Sequence, residues 1–225
     1  MWIYGNFLNR MGARVSGAGE SVIKIEGVKS LKSVSYNIMP DRIEVGTFLC
    51  MGAITEGNII INNVNNEHIK SITSKLEEAG ARIKYGKTKI EIKVSKKLKA
   101  VEIKTLPYPG FPTDMQSVFG AMLTIAKGTS VIVENIFENR FKYLNELKKM
   151  GAKISIEGKV AIIKGTKRLY GMEVEAPDLR GGAALCTAAL VAKGKSEISN
   201  INHILRGYDN LDKKLQQLGA NIKLI

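Results

Sequence analysis

The tripeptide Met11-Gly12-Ala13 returns as Ala79-Gly80-Ala81, Met150-Gly151-Ala152 and Leu218-Gly219-Ala220, with the glycines 68, 71 and 68 residues apart. A second marker keeps the same rhythm: Gly57, Gly128 and Gly194 each close an apolar stretch, at spacings of 71 and 66. A third is an aspartate one or two residues behind a proline, at Asp41, Asp114 and Asp178. Three markers in one order define an internal repeat, and a repeated chain must bury each copy against the next.

Each copy reads alike. After Gly-Ala come two alternating strands, for example Lys153–Glu157 and Val160–Lys164, joined by a turn at Glu157-Gly158. A short strand follows (Gly171–Ala176), and then Pro and Asp open a first helix, such as the one expected from Asp114 to Lys127-Gly128. Asp suits a helix start and Gly a left-handed exit. A further strand, Thr129–Glu134, leads to a lysine-rich second helix, Tyr143–Met150, with Leu144, Leu147 and Met150 at helical spacing.

The first helices carry no broad polar face: Phe119, Ala121, Met122, Leu123, Ile125 and Ala126 follow one another closely. Such helices are buried. The expected fold is α/β: an inside-out α/β barrel of three repeated units, with buried parallel helices and sheets around them. Residues 1–38 read as the tail and closing hairpin of a preceding repeat, and 39–225 as the barrel domain. The hairpin pattern over Ile23–Tyr36 suits closure of this same barrel. Gly219–Ile225 reads as a single closing strand. The chain thus has the look of the C-terminal part of a longer array.

Formal charge is +13, but the lysines are spread along the chain and many fall on strand faces, as in Lys89-Ile90-Glu91-Ile92-Lys93. Without a basic stripe interleaved with aromatics, no nucleic-acid partner is expected. A field that gathers small phosphorylated substrates fits the same charge. The longest apolar runs, such as Val118–Ala126, are too short to span a bilayer, and no basic-then-apolar leader opens the chain. Neither membrane attachment nor export is expected. Cys50 and Cys186, the only cysteines, lie in apolar helical stretches and read as reduced core residues. His68 and His203 stand far apart, and no metal-ligand spacing occurs.

The chemistry gathers at helix starts, where free N–H groups and the positive dipole end favour anions. Asp41-Arg42, Asp114 and Asp178-Leu179-Arg180 lie at the first helices; Glu138-Asn139-Arg140 and Arg206-Gly207-Tyr208-Asp209 open the second ones. Arginine forks suit carboxylate and phosphate. Each aspartate is equally readable as a plain N-cap, and each arginine as a solvated charge.

Phe111-Pro112-Thr113-Asp114-Met115-Gln116, Phe137-Glu138-Asn139-Arg140-Phe141, Pro40-Asp41-Arg42-Ile43-Glu44 and His203-Ile204-Leu205-Arg206-Gly207-Tyr208 resemble the UDP-N-acetylglucosamine enolpyruvyl transferases (1-carboxyvinyltransferases) over essentially the whole chain. The resemblance implies transfer of the enolpyruvyl group of phosphoenolpyruvate to the 3′-hydroxyl of UDP-N-acetylglucosamine, the first committed step of peptidoglycan synthesis, in the cytoplasm. It implies no metal and no organic cofactor. Carried over by residue, Asp114 matches the proposed general base. Ile136 matches an aliphatic position whose backbone binds the UDP-sugar, and Arg206 an arginine of the phosphoenolpyruvate site. Asp178, Arg180 and Arg140 match further polar residues of the site.

The family's catalytic cysteine lies on a mobile loop of its other barrel, and neither Cys50 nor Cys186 matches it. The chain alone is therefore expected to be inactive and to need a complementary N-terminal half. The alternative is a non-catalytic protein that binds a UDP-sugar or an anion.

Overall fold

A computed structural model describes residues 2–225 and divides them into two compact units, one running to Met39 and one from Pro40 to Ile225. The first holds α1 (Trp2–Arg10) and an antiparallel pair, β1 (Arg14–Ser16) with β2 (Lys24–Glu26), in register Val15↔Ile25. Asn9 clamps this pair, since its amide donates to the Val15 carbonyl and its oxygen accepts from the Val15 N–H, both at 2.7 Å. The hairpin expected over Ile23–Tyr36 is not formed. Lys24–Glu26 pairs with Arg14–Ser16, and residues 27–41 hold no helix or strand. A strand forms only where a neighbour satisfies its backbone groups, and β2 finds its neighbour upstream.

The second unit repeats one order of elements. It begins with α2 (Arg42–Ile54), β3 (Asn58–Asn62), a 3₁₀ turn at Asn66–Ile69, α3 (Lys70–Glu78), β4 (Arg82–Tyr85) and β5 (Lys89–Lys93). Next come β6 (Glu102–Lys104), α4 (Thr113–Leu123), β7 (Thr129–Val133), α5 (Lys142–Lys149), β8 (Lys153–Glu157) and β9 (Val160–Lys164). It ends with β10 (Glu173–Glu175), α6 (Leu179–Ala189), β11 (Glu197–Ser199), α7 (Asn202–Leu205) and α8 (Leu211–Gln217). The Gly-Ala marker is the same helix exit each time. Gly12, Gly80, Gly151 and Gly219 all have φ between +93° and +103°, and the following alanine N–H returns to a leucine carbonyl in the last turn.

The middle copy carries the fullest sheet, in strand order β6-β7-β9-β8; β6 runs parallel to β7 (Ile103↔Ile132) and the remaining pairs are antiparallel. Sheets β3-β5-β4 and β10-β11 are parts of the same pattern. Alternation sets their faces. Ile90, Ile92, Ile103, Ile132, Ala161 and Ile163 are fully buried, whereas Lys89, Lys93 and Lys164 face water. Much of the positive charge is thus the solvent face of strands.

Helices α2, α4 and α6 pack on one another, burying Leu49, Cys50, Met115, Val118, Phe119, Met122 and Leu185. Each large apolar side chain so buried stabilises the fold by about 1.5–3 kcal/mol. The outer helices contribute one stripe each, such as Ile72 and Leu76 on α3, Leu144 and Leu147 on α5, and Leu211 and Leu215 on α8. Among the described residues no helix is long and apolar enough to cross a membrane.

Glycine sets the approach of α5 to α4. A Cβ on Gly120 would lie 2.2 Å from the Tyr143 hydroxyl, which is itself fully buried. Gly120→Ala should cost about 1–3 kcal/mol by overpacking. Tyr143→Phe, which removes that oxygen, should restore most of the loss. Denaturant melts of the two single variants and the double variant check this, and additive costs would refute it.

Several boundaries differ from those read in the sequence. Helix α4 stops at Leu123 rather than Lys127, because the Thr124 hydroxyl turns back to the Ala121 carbonyl and the Thr124 carbonyl accepts from the Thr166 N–H. Glu138-Asn139-Arg140 and Arg206-Gly207-Tyr208-Asp209 precede α5 and α8 instead of opening them; left-handed Asn139 (φ 57°) and Asn210 (φ 48°) break the chain there. Ala220–Ile225 forms no strand, having no described strand to pair with.

Candidate active site

The three aspartates behind prolines are not equivalent. Asp41 caps α2, accepting from the Ile43 N–H at 2.8 Å. Asp178 caps α6, accepting from the N–H groups of Arg180 (2.9 Å) and Gly181 (2.8 Å). At α4 the cap position is Pro112, which has no side chain able to cap, and Asp114 lies one residue inside the helix. The inserted Thr113 makes the difference: with Pro112 as the cap, the acid lies two residues on, about 200° further around the axis, and is relieved of capping. The reading of Asp114 as an N-cap is therefore corrected.

Its carboxylate meets two guanidinium groups instead. Arg140 NH2 donates to Oδ1 at 2.7 Å and Arg180 NH2 to Oδ2 at 3.3 Å. Both arginine side chains are 14% exposed and that of Asp114 is 41% exposed, so the cations are largely enclosed while the acid faces solvent. Asp114, Arg140 and Arg180 by themselves carry one net positive charge, and arginine forks suit an incoming anion.

Each arginine has its own support. The Arg140 guanidinium lies over the Phe137 ring, 5.1 Å from its centroid. Arg180 extends NH1 to the Tyr208 hydroxyl at 3.3 Å and lies 5.8 Å from the centre of that ring. Burial opposes its charge, yet Tyr208 and Asp114 beside it hold its pKa above the usual value. Tyr208 is buried and bonds Thr47 of α2 at 2.9 Å. Burial also drives the Tyr208 pKa upward, against the pull of Thr47 and Arg180. A chain of contacts thus links the starts of α4 and α6 to the second turn of α2.

Among the described residues, Ile136 and Arg206 make no hydrogen bond or ion pair with Asp114, Arg140 or Arg180. Ile136 is exposed, and its N–H is taken by the Glu134 carboxylate at 2.8 Å. Arg206 is exposed at the end of α7. Both cysteines are buried thiols whose pKa burial raises, that of Cys186 to about 12.

Glu134, Tyr208 and Thr47 were not singled out in the sequence. Tyr208 lay within the quoted Arg206-Gly207-Tyr208 run, but a tyrosine there carries no sign of which arginine it meets. Glu134 looked like the polar end of a strand.

The comparisons with known proteins agree with one another. A profile of the family described as EPSP synthase (3-phosphoshikimate 1-carboxyvinyltransferase) matches residues 3–215. The UDP-N-acetylglucosamine 1-carboxyvinyltransferase 1 of Caldanaerobacter subterraneus subsp. tengcongensis is 54% identical over 217 residues, covering 96% of this chain and 52% of that protein. A UDP-N-acetylglucosamine 1-carboxyvinyltransferase of Desulfofundulus thermocisternus is 52% identical over 218 residues, and 90% of that protein is covered. Among solved structures, the enolpyruvyl transferase NikO from Streptomyces tendae superposes with a TM-score of 0.87 at 28% identity, over 97% of this chain and 53% of that one. EPSP synthase from Acinetobacter baumannii shares the fold, with a TM-score of 0.65 at 18% identity. The chain spans about half the length of most of these relatives.

Proposed function

The chain belongs to the enolpyruvyl transferase family, among the UDP-N-acetylglucosamine 1-carboxyvinyltransferases, and on that premise we propose that it is the C-terminal part of an enzyme that moves the enolpyruvyl group of phosphoenolpyruvate to the 3′-hydroxyl of UDP-N-acetylglucosamine. The carrying observation is the solvent-facing Asp114 carboxylate held between Arg140 and Arg180. In this reading residues 39–225 form a three-unit inside-out barrel, and residues 1–38 end a preceding repeat. The mutual packing of α2, α4 and α6 supports that arrangement. The reaction is placed in the cytoplasm, at the entry to peptidoglycan synthesis.

The chemistry follows from the groups present. The sugar hydroxyl must lose its proton as its oxygen bonds to carbon 2 of the enolpyruvyl group, and a carboxylate within hydrogen-bond reach does this. Asp114 is that base. Its contact to Arg180 is the longer of the two, so Oδ2 is the freer oxygen to turn to a hydroxyl. The resulting adduct carries phosphate and carboxylate, and Arg140 and Arg180, with Arg206 as a further cation, stabilise it until phosphate leaves carbon 2 and the methyl group gives up a proton to restore the double bond. Asp178 acts indirectly, holding the backbone of Arg180. The exposed Ile136 segment offers the UDP-sugar a backbone and an apolar edge.

Protonation of the enolpyruvyl methylene needs an acid, and the two cysteines here are buried in helices. A complementary N-terminal half is assigned that task. Mixed with the N-terminal half of the Caldanaerobacter relative, the chain should release phosphate with saturation in both substrates, while either part alone should not. Saturable binding of UDP-N-acetylglucosamine with no turnover in the mixture would instead favour a non-catalytic sugar-nucleotide binder.

A further inference from the structure

We propose that Glu134 is a positioning residue that sets the Asp114–Arg140 pair. It directly follows β7 and is 2% exposed. Its Oε1 accepts from the Thr105 hydroxyl (2.8 Å) and from the N–H groups of Ile136 (2.8 Å) and Phe137 (3.1 Å), and its Oε2 accepts from the Thr113 hydroxyl (2.8 Å). A buried carboxylate is costly unless its lone pairs are met, and here four donors meet them.

The four donors come from three segments. Thr105 follows β6 and also accepts from the Asn135 N–H at 2.8 Å, which seals the end of the sheet. Thr113 is the first residue of α4 and immediately precedes Asp114. Pinning its hydroxyl pins the phase of the first turn, and so the direction in which Asp114 leaves the helix. Ile136 and Phe137 begin the loop that reaches Arg140, and the Phe137 ring is the surface on which that guanidinium rests. One buried anion therefore fixes where the acid starts and where its nearer cation lies. The placement stands on geometry alone; its consequence for turnover rests on the reading of Asp114 as the base.

Two conservative variants test it. Glu134→Gln keeps one oxygen for the loop amides but sets an NH2 or a lost acceptor against one of the hydroxyls. Thr113→Val keeps the branched shape and removes the hydroxyl. The readout is hydrogen exchange of the Arg140 Nη2 protons, which hold the Asp114 carboxylate, followed by NMR on the whole chain without a partner, beside a thermal melt that confirms cooperative folding. Each substitution should speed that exchange by about tenfold, as expected for loss of a charge-assisted hydrogen bond that holds the pair in place. In an Asp114→Ala background, where no acceptor is left to position, the same changes should add less than about twofold. If the Ile136 and Phe137 amides lose protection while exchange at Arg140 Nη2 is unmoved in both variants, Glu134 merely ties its own loop and the proposal is wrong. Because no turnover is needed, an inactive mixture of halves would sink the proposed reaction without touching this test.

Discussion

Asp114→Asn is expected to lower the kcat of the complemented enzyme by about 10²–10⁴, the usual worth of a positioned general base. Asparagine matches aspartate in size and can still accept a hydrogen bond from Arg140, so the site should keep its shape and substrate KM values should move little. What it cannot do is take the hydroxyl proton. The internal repeat provides a control. Among the described residues the Asp41 carboxylate hydrogen-bonds only a first-turn N–H, a task asparagine performs equally well. Asp41→Asn should therefore leave turnover within about twofold and the melting curve nearly unchanged. Steady-state phosphate release by the two variants separates base from cap, and equal effects at both positions would end the case for Asp114.

Loss of Arg180 should be felt almost as strongly. Its guanidinium spans from the Tyr208 hydroxyl to Asp114, using different nitrogens for each. Arg180→Met should reduce kcat/KM by about 10²–10³, the cost of removing a fixed donor aimed at developing charge. Arg180→Lys should recover little of this, because an ammonium is a point charge and cannot hold both partners with one planar fork. Tyr208 would still be bonded to Thr47, so folding should survive better than activity. Kinetics together with urea melts would show it; recovery of wild-type kcat/KM by lysine would mean that charge alone matters at this position.

Much of the fold was legible because the determinants are local. A left-handed glycine exit, an alternating hairpin and a polar helix start each leave a mark within a few residues, and the repeat shows each mark more than once. The special position of Asp114 was also written in the chain, as Pro-Thr-Asp where the other copies have Pro-Asp. Its meaning, N2 rather than cap, emerges only once the helix is built. Arg140 and Arg180 could be named from resemblance, but their convergence on one carboxylate depends on the packing of α4, α5 and α6. Glu134 escaped notice because acids at strand ends usually meet water, and only tertiary structure brings Thr105 and Thr113 to it. Residues 27–36 and 220–225 went the other way: their sequences suit strands, and a strand is decided by its neighbour.

Cys50 and Cys186 lie inside α2 and α6, enclosed and with raised thiol pKa values. Electrophiles attack thiolates, and a folded chain of this kind exposes almost none. Alkylation would then proceed only through moments when α2 or α6 opens, at a rate set by the free energy of that opening. The two sulfurs are thus internal reporters of stability, one in the first copy of the repeat and one in the last. A difference between their labelling rates would measure how evenly α2 and α6 are held in the fold.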